Sequence, residues 1–453
     1  MIKRCGLFLT ICSLTWAAAL FPPPAVAESS LPLTLEEAIA AAVVHNPEMS
    51  AAQSRLDAAE TRIRQAKSGY LPQLTFSETF SQTNNPVGAF GTKLNQAVIT
   101  QQDFIPDRLN HPDAINNFAT AFNLQWSLYS GGQTRIGLEQ AQQGREGSDL
   151  FLERTRQRII ARTATAYVGL LLASKNVFVV EEALASARAS LSMVDSRYRS
   201  GFVVKSDLLR AQVRIAELEQ ELLTAKSRVE IAQAVLAGAM GDDGNRRYDP
   251  VNALENCREI TEDRRFWIDQ ALAGRPDLKQ VRLQESIAGK EIDKAQGAHL
   301  PEVNLFGTYE INSEDFSDTA DNYAVGAMLR VNLYSGNRIS AKAAEAKAAK
   351  RQIEAMRKTL ELGVRVETEQ AFLEARSAWQ RISVAEKAVE QAEEGLRIVK
   401  NRYNSGLLTI VDLLDAEVTL QRARTRHFQS LHDYKVARVQ LALAAGLLKA
   451  DFR

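Results

Sequence analysis

The chain has 453 residues, of which 55 are Lys or Arg and 55 are Asp or Glu, so its formal net charge is zero. This balance argues against a nucleic-acid partner, which would require a concentrated basic face. Ala, Glu, Leu, Arg, Lys and Gln dominate long stretches of the sequence, and such a composition is typical of long helices rather than of several ordinary globular domains.

Residues 1–27 have the features of a secretory signal peptide. The pair Lys3-Arg4 precedes an apolar run from Leu7 to Leu20, and the segment ends in Ala25-Val26-Ala27. We expect cleavage before Glu28. The alternative is an N-terminal membrane anchor, but the apolar run is shorter than the roughly 20 residues that a spanning helix needs.

Removal of this leader leaves 53 basic and 55 acidic residues, because Lys3 and Arg4 are lost, and the net charge becomes −2. Cys257 is then the only cysteine, which excludes a disulfide within one chain. We expect no transmembrane helix in the remaining chain, because no uninterrupted apolar stretch reaches about 18 residues.

The first predicted helix runs from Pro47 to about Lys67, since proline after Asn46 suits a first helical position. Alternation of apolar and polar residues then predicts one strand over about 71–83 and a second over about 118–130. The polar residues 83–117 between them are rich in Asn, Gly and Pro, so we expect a long loop outside the cell.

A long helix is predicted over about 132–198, where no proline or turn cluster interrupts the sequence. Its 67 residues would span roughly 100 Å. A Ser-Gly turn ends it, because glycine accepts the left-handed conformation of a helix C-terminus, and a return helix follows over about 206–240. Residues 242–264 are expected to link two halves of the chain as a belt around its middle.

The second half of the sequence repeats the first. RYRSGFVVKSDLLRAQ begins at Arg197, and RYNSGLLTIVDLLDAE begins 205 residues later, at Arg402. We therefore predict two structural repeats, residues 28–241 and 265–453. In the second repeat we expect strands over about 301–312 and 322–334, a long helix over about 337–403 and a return helix over about 409–446.

The four predicted strands each have one apolar face, which fits either a soluble antiparallel sheet or a transmembrane barrel. Four strands cannot close around a lumen by themselves, so a barrel requires several chains. The long helices cannot pack into a compact globule and require a bundle or coiled coil. In each repeat the return helix and the short first helix, stacked end to end, nearly match the length of the long helix. Each repeat is thus predicted to be a column with a β end and a turn end.

The histidines argue against an enzyme. His427 and His432 are five residues apart, not the four of a helical zinc pair, and His45, His111 and His299 are scattered along the chain. No glycine-rich phosphate loop is present, so we expect neither catalysis nor a metal or nucleotide cofactor. A soluble periplasmic coiled-coil scaffold is the alternative, but it leaves four alternating strands at matched positions unexplained.

This duplicated pattern resembles the TolC family of outer-membrane efflux and secretion channels over essentially the whole processed chain. The most specific features are the paired Leu-Pro before a strand, Leu-Tyr-Ser-Gly before a long helix, and Tyr-x-x-Gly tips followed by Asp-Leu-Leu. The resemblance implies an α+β membrane protein, a homotrimer whose three sets of four strands close a 12-stranded barrel in outer-membrane lipid. A long α-helical coiled-coil tunnel would continue the barrel through the periplasm.

The resemblance further implies a passive exit duct of a tripartite efflux or type I secretion system. Such a duct docks on a periplasmic adaptor (membrane fusion) protein and an inner-membrane transporter of the RND, ABC or MFS type. The wall of a passive duct does not identify its cargo, so drugs, metal ions and proteins all stay open as cargo classes.

By the same resemblance, Asp412 and Asp415 form a ring at the periplasmic entrance. Residues at i and i+3 share one helix face, and three chains would direct six carboxylates towards one axis. Without the resemblance, the pair is better explained as acids near a helix start that complement its dipole. The first repeat has Asp207 and Arg210 at the matching positions, so only the second tip is doubly acidic.

The resemblance also implies that contacts between the two tips hold a closed state and that the tips dock the adaptor. In the family a tyrosine of the second tip bonds an aspartate of the first, and a basic residue of the second tip adds a further link. Leu408 stands at the position of that basic residue here, so we expect this link to be missing. The residues implied in the latch and in docking are Tyr198, Gly201, Asp207, Tyr403 and Gly406.

Overall fold

The computed structural model describes residues 31–244, 246–255 and 257–449, so the predicted signal peptide lies outside the described residues. The first half contains, in order, β1 (Leu31–Leu33), α1 (Leu35–His45), α2 (Pro47–Ser68), β2 (Gln73–Thr83), α3 (Pro86–Asn95), a 3₁₀ turn (Gln101–Phe104), α4 (Pro106–Asn110), β3 (Ile115–Ser130), α5 (Gln133–Arg199) and α6 (Lys205–Met240). The second half contains β4 (Tyr248–Pro250), α7 (Arg264–Gly274), α8 (Pro276–Gly297), β5 (Glu302–Ser313), β6 (Ala320–Arg330), α9 (Arg338–Asn404) and α10 (Ile410–Ala444).

The four longer strands form one antiparallel sheet in the order β2-β3-β5-β6. The register places Phe76 beside Phe122, Phe122 beside Tyr309, and Tyr309 beside Tyr323. Directly opposed residues point to the same side of a sheet, so the apolar positions of all four strands share one face. Phe76 and Tyr323 are exposed on that face.

The long helices α5 and α9 have 67 residues each and leave the same end of the sheet. Both are longer, at roughly 100 Å, than the helices that follow them. Helix α6 has 36 residues and packs back along α5, and α10 has 35 and packs back along α9. Helix α10 also packs against α5, which joins the two helical hairpins side by side.

Side chains at equivalent positions join the end of each return helix to the start of a short helix. The Nδ2 of Asn46 donates to the carbonyl oxygen of Ala239 at 2.9 Å, and Nη1 of Arg275 donates to that of Ala444 at 3.2 Å. Gly241 turns the chain here with a φ of +79°. A Cβ at this glycine would lie 2.7 Å from the carbonyl oxygen of His45, so a side chain is excluded by both conformation and space.

Halfway along α5, Tyr167 is buried in an apolar core cluster. Its hydroxyl oxygen lies 2.9 Å from the carbonyl oxygen of Leu33 and 2.7 Å from Oδ1 of Asn252. Leu33 belongs to β1 and Asn252 follows β4, and these two strands pair in parallel. The segment between the two halves of the chain therefore packs against the middle of the helical column. The buried phenol satisfies its polar end in this way.

The long polar loop expected between the first two strands contains two short helices, α3 and α4, and the 3₁₀ turn. The Oδ1 of Asn85 accepts from the backbone N of Gly88 at 3.0 Å and caps α3. Lys93 and Asp103 form an ion pair of 2.7 Å between this helix and the 3₁₀ turn. That lysine, with two hydrogen bonds from Thr100, lowers the pKa of Asp103 to about 2.

Helix α5 corrects the expectation that the processed chain lacks any stretch able to span a membrane. By length and composition alone, one stretch of this helix is apolar enough to do so. Half of that stretch is buried inside the fold, and its apolar residues include Tyr167 and Leu170 of the central core. We therefore assign the stretch to the protein core, whose helices pass the same compositional test.

Candidate functional site

The two hairpin tips have the same backbone geometry. At the first tip, the backbone N of Phe202 donates to the carbonyl oxygen of Arg197 at 2.9 Å, and Gly201 has a φ of +75°. At the second tip, Leu407 donates to Arg402 at 2.9 Å, and Gly406 also has a φ of +75°. A left-handed glycine closed by such a bond ends both long helices, as the repeated Tyr-x-Ser-Gly sequence requires.

Arg197 joins the two tips directly. Its Nη1 donates to the carbonyl oxygen of Tyr403 at 2.9 Å and its Nη2 to that of Asn404 at 2.8 Å. The guanidinium also lies 4.7 Å from the centroid of the Tyr403 ring. A cation beside the last carbonyls of a helix complements the negative end of its dipole, so Arg197 of α5 acts as a C-terminal cap for α9.

An apolar cluster lies beneath this link. Val194, Tyr403, Ile410 and Leu413 are buried together at the tips. Leu408, at the position where the resemblance led us to expect a basic residue, packs against this cluster. The missing basic side chain is thus replaced by apolar contact with a cluster that both hairpins share.

The hydrogen bond expected between Tyr403 and Asp207 is not formed. The hydroxyl of Tyr403 is buried, and no hydrogen-bond partner for it lies among the residues that the structure describes. Burial raises the pKa of Tyr403, while the nearby Arg197 partly opposes that rise. Tyr403 therefore contributes its ring and its backbone carbonyl to the contact between the tips, and Arg197 takes the place of Asp207 as its polar partner.

Asp412 and Asp415 are both exposed on the first two turns of α10. The Oδ2 of Asp412 accepts from the backbone N of Thr409 at 2.8 Å and from its hydroxyl at 2.6 Å. The backbone N of Asp412 donates in return to the hydroxyl of Thr409 at 3.4 Å, which completes a capping box. The bonds from Thr409 lower the pKa of Asp412. The first repeat has Val204 at the matching position, and no side chain caps α6 there.

Sequence reasoning missed two polar contacts between the hairpins. Arg197 belongs to the repeated motif but was given no role, although a repeated arginine next to a helix end was a readable signal. The Oε1 of Glu417 accepts from the hydroxyls of Ser186 at 2.9 Å and Ser190 at 2.8 Å. Within the described ranges, no three His, Cys, Asp or Glu side chains are placed to hold a metal ion.

A comparison with protein-family models matches residues 38–242 and 267–447 to the outer membrane efflux protein family. The chain belongs to that family. It is therefore an outer membrane protein of the efflux and secretion type, and the soluble periplasmic scaffold considered above is excluded. The two matched segments leave out the stretch around β4, which connects the halves of the chain.

Similar proteins align with most of this outer membrane efflux protein. The chain is 23% identical to the outer membrane protein TolC of Salmonella enteritidis, over 89% of this chain and 80% of the relative. It is also 23% identical to the alkaline protease secretion protein AprF of Pseudomonas aeruginosa, over 93% of this chain and 86% of the relative. The solved outer membrane protein VceC of Vibrio cholerae has a TM-score of 0.73 at 21% identity, covering 91% of this chain and 96% of that one.

Proposed function

We propose that three copies of this chain close a 12-stranded barrel in the outer membrane and form a passive exit channel. The observation that carries the proposal is the register of the β2-β3-β5-β6 sheet. It places the apolar residues of all four strands on one exposed face and leaves β2 and β6 at open edges. Such a sheet needs lipid against its face and further strands at both edges.

The helical part supports a tunnel that continues the barrel through the periplasm. Helices α5 and α9 have equal lengths and each is followed by a return helix. We propose that residues 28–241 and 265–453 are the two structural repeats and that residues 242–264 form a belt at the middle of the tunnel. Three chains would then contribute six hairpins to one wall.

Channels of this design open towards a partner at the tips. We propose that Tyr198, Gly201, Asp207, Tyr403 and Gly406 lie in the tip region that docks a periplasmic adaptor and is latched when the channel is closed. An inner-membrane transporter would supply the cargo and the energy. The channel itself then needs no cofactor and no catalytic residue, and the exposed Asp412 and Asp415 would surround its entrance.

Native mass spectrometry of the detergent-extracted protein tests this proposal. We expect extraction from membranes only with detergent, and a mass of three processed chains. A monomer or dimer as the main species would contradict the barrel, since four or eight strands from these chains cannot build the wide lumen proposed. Planar-bilayer recordings of the same sample should show discrete channels, and a trimer without conductance would contradict the exit duct.

A further inference from the structure

The contact between the two hairpins of one chain can be repeated between helices of two different chains. Within the chain, α10 of the second hairpin packs against α5 of the first. The sequence offset of 205 residues maps α10 onto α6 and α5 onto α9. A repetition of the same contact would therefore join α6 of one chain to α9 of another.

Apolar side chains mark both open faces. Val179 on α5 is 2% exposed, whereas its equivalent on α9, Val384, is 69% exposed. Ala161 is buried with Val439 and Ala442 of α10, whereas its equivalent on α9, Val366, is 65% exposed. Apolar positions that α10 covers on one helix are thus left uncovered on the equivalent helix.

The return helices show the same difference. Phe428 and Val436 of α10 are half-buried, and their equivalents Leu223 and Ile231 of α6 are 71% and 60% exposed. The open face of α6 therefore has exposed apolar residues at the positions where α10 packs against α5.

Charged side chains on these faces indicate which molecule covers them. Arg424 of α10 bridges two carboxylates, with 2.6 Å to Oε2 of Glu182 on α5 and 2.8 Å to Oε1 of Glu393 on α9. The equivalents of these three residues are Glu219, Lys387 and Arg188, so every sign is reversed. Half of the reversed set is already formed, because Nη2 of Arg188 lies 3.0 Å from Oε1 of Glu219.

We propose that Glu219 of one chain pairs with Lys387 of the neighbouring chain and completes the reversed set. Lys387 is exposed on α9, at the position where Glu182 meets Arg424 within the chain. The inference rests on the proposed trimer and adds to it the residues that set the order of the helices. The partner is a second copy of this chain, presenting α9 to α6.

The reversal disfavours the wrong pairings of helices between chains. If α6 met α5 of another chain, Glu219 would face Glu182, and if α10 met α9 of another chain, Arg424 would face Lys387. Like charges in contact are unfavourable, and such repulsion is a common source of specificity. Within each chain α10 already packs against α5, so α6 and α9 are the helices with open faces, and the reversed charges favour their pairing between chains. An exposed ion pair adds little affinity by itself, so its role is to set the order.

The two tips show the same difference between a covered and an uncovered position. Tyr403, which lies in the apolar cluster beneath Arg197, is 3% exposed, whereas the equivalent Tyr198 is 37% exposed. Arg402, the equivalent of Arg197, is exposed at the other tip. In the proposed interface, Arg402 of the neighbouring chain donates to the last carbonyls of α5 and covers Tyr198.

Cross-linking tests the interface. In a Cys257→Ser background, the Glu219→Cys/Lys387→Cys variant should give products of two and three chains with a short bifunctional maleimide. The matched control Glu182→Cys/Arg424→Cys should react within one chain and keep the monomer mass on a denaturing gel. Only monomeric products from the 219/387 variant, in a sample whose native mass is that of a trimer, would overturn the interface but not the trimer. A monomeric native mass would instead contradict the proposed channel.

A charge series tests the reversed pair itself. Lys387→Glu should lower the temperature at which the trimer dissociates in detergent, since Glu219 then faces a carboxylate. The triple variant Arg188→Glu/Glu219→Arg/Lys387→Glu restores opposite charges throughout the set and should recover most of that loss. If Lys387→Glu leaves the dissociation temperature unchanged, Lys387 does not face Glu219.

Discussion

Arg197 and Tyr403, which lie 206 residues apart in sequence, form the direct polar link between the two tips. The guanidinium spans the carbonyl oxygens of Tyr403 and Asn404 and lies on the tyrosine ring. Planar stacking and a fork of donors are properties of arginine that lysine does not share. The link therefore depends on this side chain and not on charge alone, and it joins the two tips although Leu408 replaces the basic residue that the resemblance implied.

Arg197→Ala should increase opening of the channel. It removes two hydrogen bonds from a charged donor, each contributing about 1.5–3 kcal/mol at most, and it uncovers the Tyr403 ring. We expect higher mean conductance in planar bilayers. Arg197→Lys should give an intermediate value, because it keeps the charge but loses the fork. Equal conductance of Arg197→Ala and wild type would show that the tips are latched elsewhere.

Tyr403→Phe should leave opening close to wild type. The hydroxyl is buried without a partner, so its removal gives up no hydrogen bond and relieves an unsatisfied polar group. Bilayer recordings compare this variant directly with Arg197→Ala. An increase in opening with Tyr403→Phe, reproduced by Asp207→Asn, would instead support the tyrosine–aspartate bond that the family resemblance implied.

Some elements follow from local sequence and others do not. The alternation in β2, β3, β5 and β6 and the unbroken helical pattern of α5 and α9 are local properties, which a sequence displays directly. Helix α1 was missed, although its capping box from Thr34 to Glu37 was readable. The helices in residues 84–114 were missed because Gly88 and Gly91 in the α3 sequence argue against a helix.

The candidate site likewise contains features that local sequence predicts and contacts that it does not. The tip glycines and the two acids near the start of α10 could be placed from the repeated motif. The partners of Arg197 could not, because that contact depends on how α5 and α9 are brought together by α10. The cap on Asp412 depends on one residue, Thr409, which the first repeat replaces with Val204. Local sequence therefore predicted the position of each tip but not the contact between them.

Replacing Asp412 and Asp415 together with Ala should weaken cation preference more than it raises conductance. In the proposed ring the carboxylates act in a narrow, partly dehydrated entrance, where each charge has more effect than at an open surface. Reversal potentials in asymmetric salt measure the preference. Unchanged selectivity would show that the two acids serve only the start of α10.

Thr409→Val is the matched control, because it gives the second tip the Val204 of the first and keeps both carboxylates. It should lower tip stability with little effect on selectivity. Thr409 lowers the pKa of Asp412, so the stability that the cap contributes is present above the ordinary pKa of aspartate and is lost as the pH falls through the lowered value. The variant and wild type should therefore converge in acid.

Arg275→Asn should destabilise the joint at the end of α10. Arg275 is 4% exposed and pairs with Asp277 at 2.7 Å and with Glu367 at 2.6 Å. Breaking such a set leaves Glu367 without this arginine and leaves Asp277 with only Arg154, whose Nε lies 3.8 Å from its Oδ2. We expect a loss of about 3 kcal/mol, the low end for a buried pair, because both acids are partly exposed. Thermal unfolding measured by circular dichroism in detergent should show a lower midpoint.

The first repeat provides the compensating change. In the first repeat, Asn46 stands at the position of Arg275. Arg162 and Glu48, which correspond to Glu367 and Asp277, form an ion pair of 2.6 Å. Arg275→Asn/Glu367→Arg copies that arrangement and should recover much of the lost stability, whereas Glu367→Arg alone places two arginines together and should not. Failure of the double variant to recover would show that the two joints are not interchangeable.

Acid should reduce the difference between wild type and Arg275→Asn. Burial raises the pKa of Asp277, but the hydrogen bonds and charge of Arg275, followed by smaller effects of Arg154 and the backbone of Leu278, outweigh it and lower the net pKa. A lowered pKa contributes stability that is complete above the pKa of unfolded aspartate, about 3.9, and is lost as the pH falls through the folded value. The two unfolding midpoints should thus stay a constant distance apart near neutral pH and approach each other below about pH 4. A gap that persists at lower pH would assign the effect of Arg275 to its bond with the carbonyl oxygen of Ala444, which does not titrate.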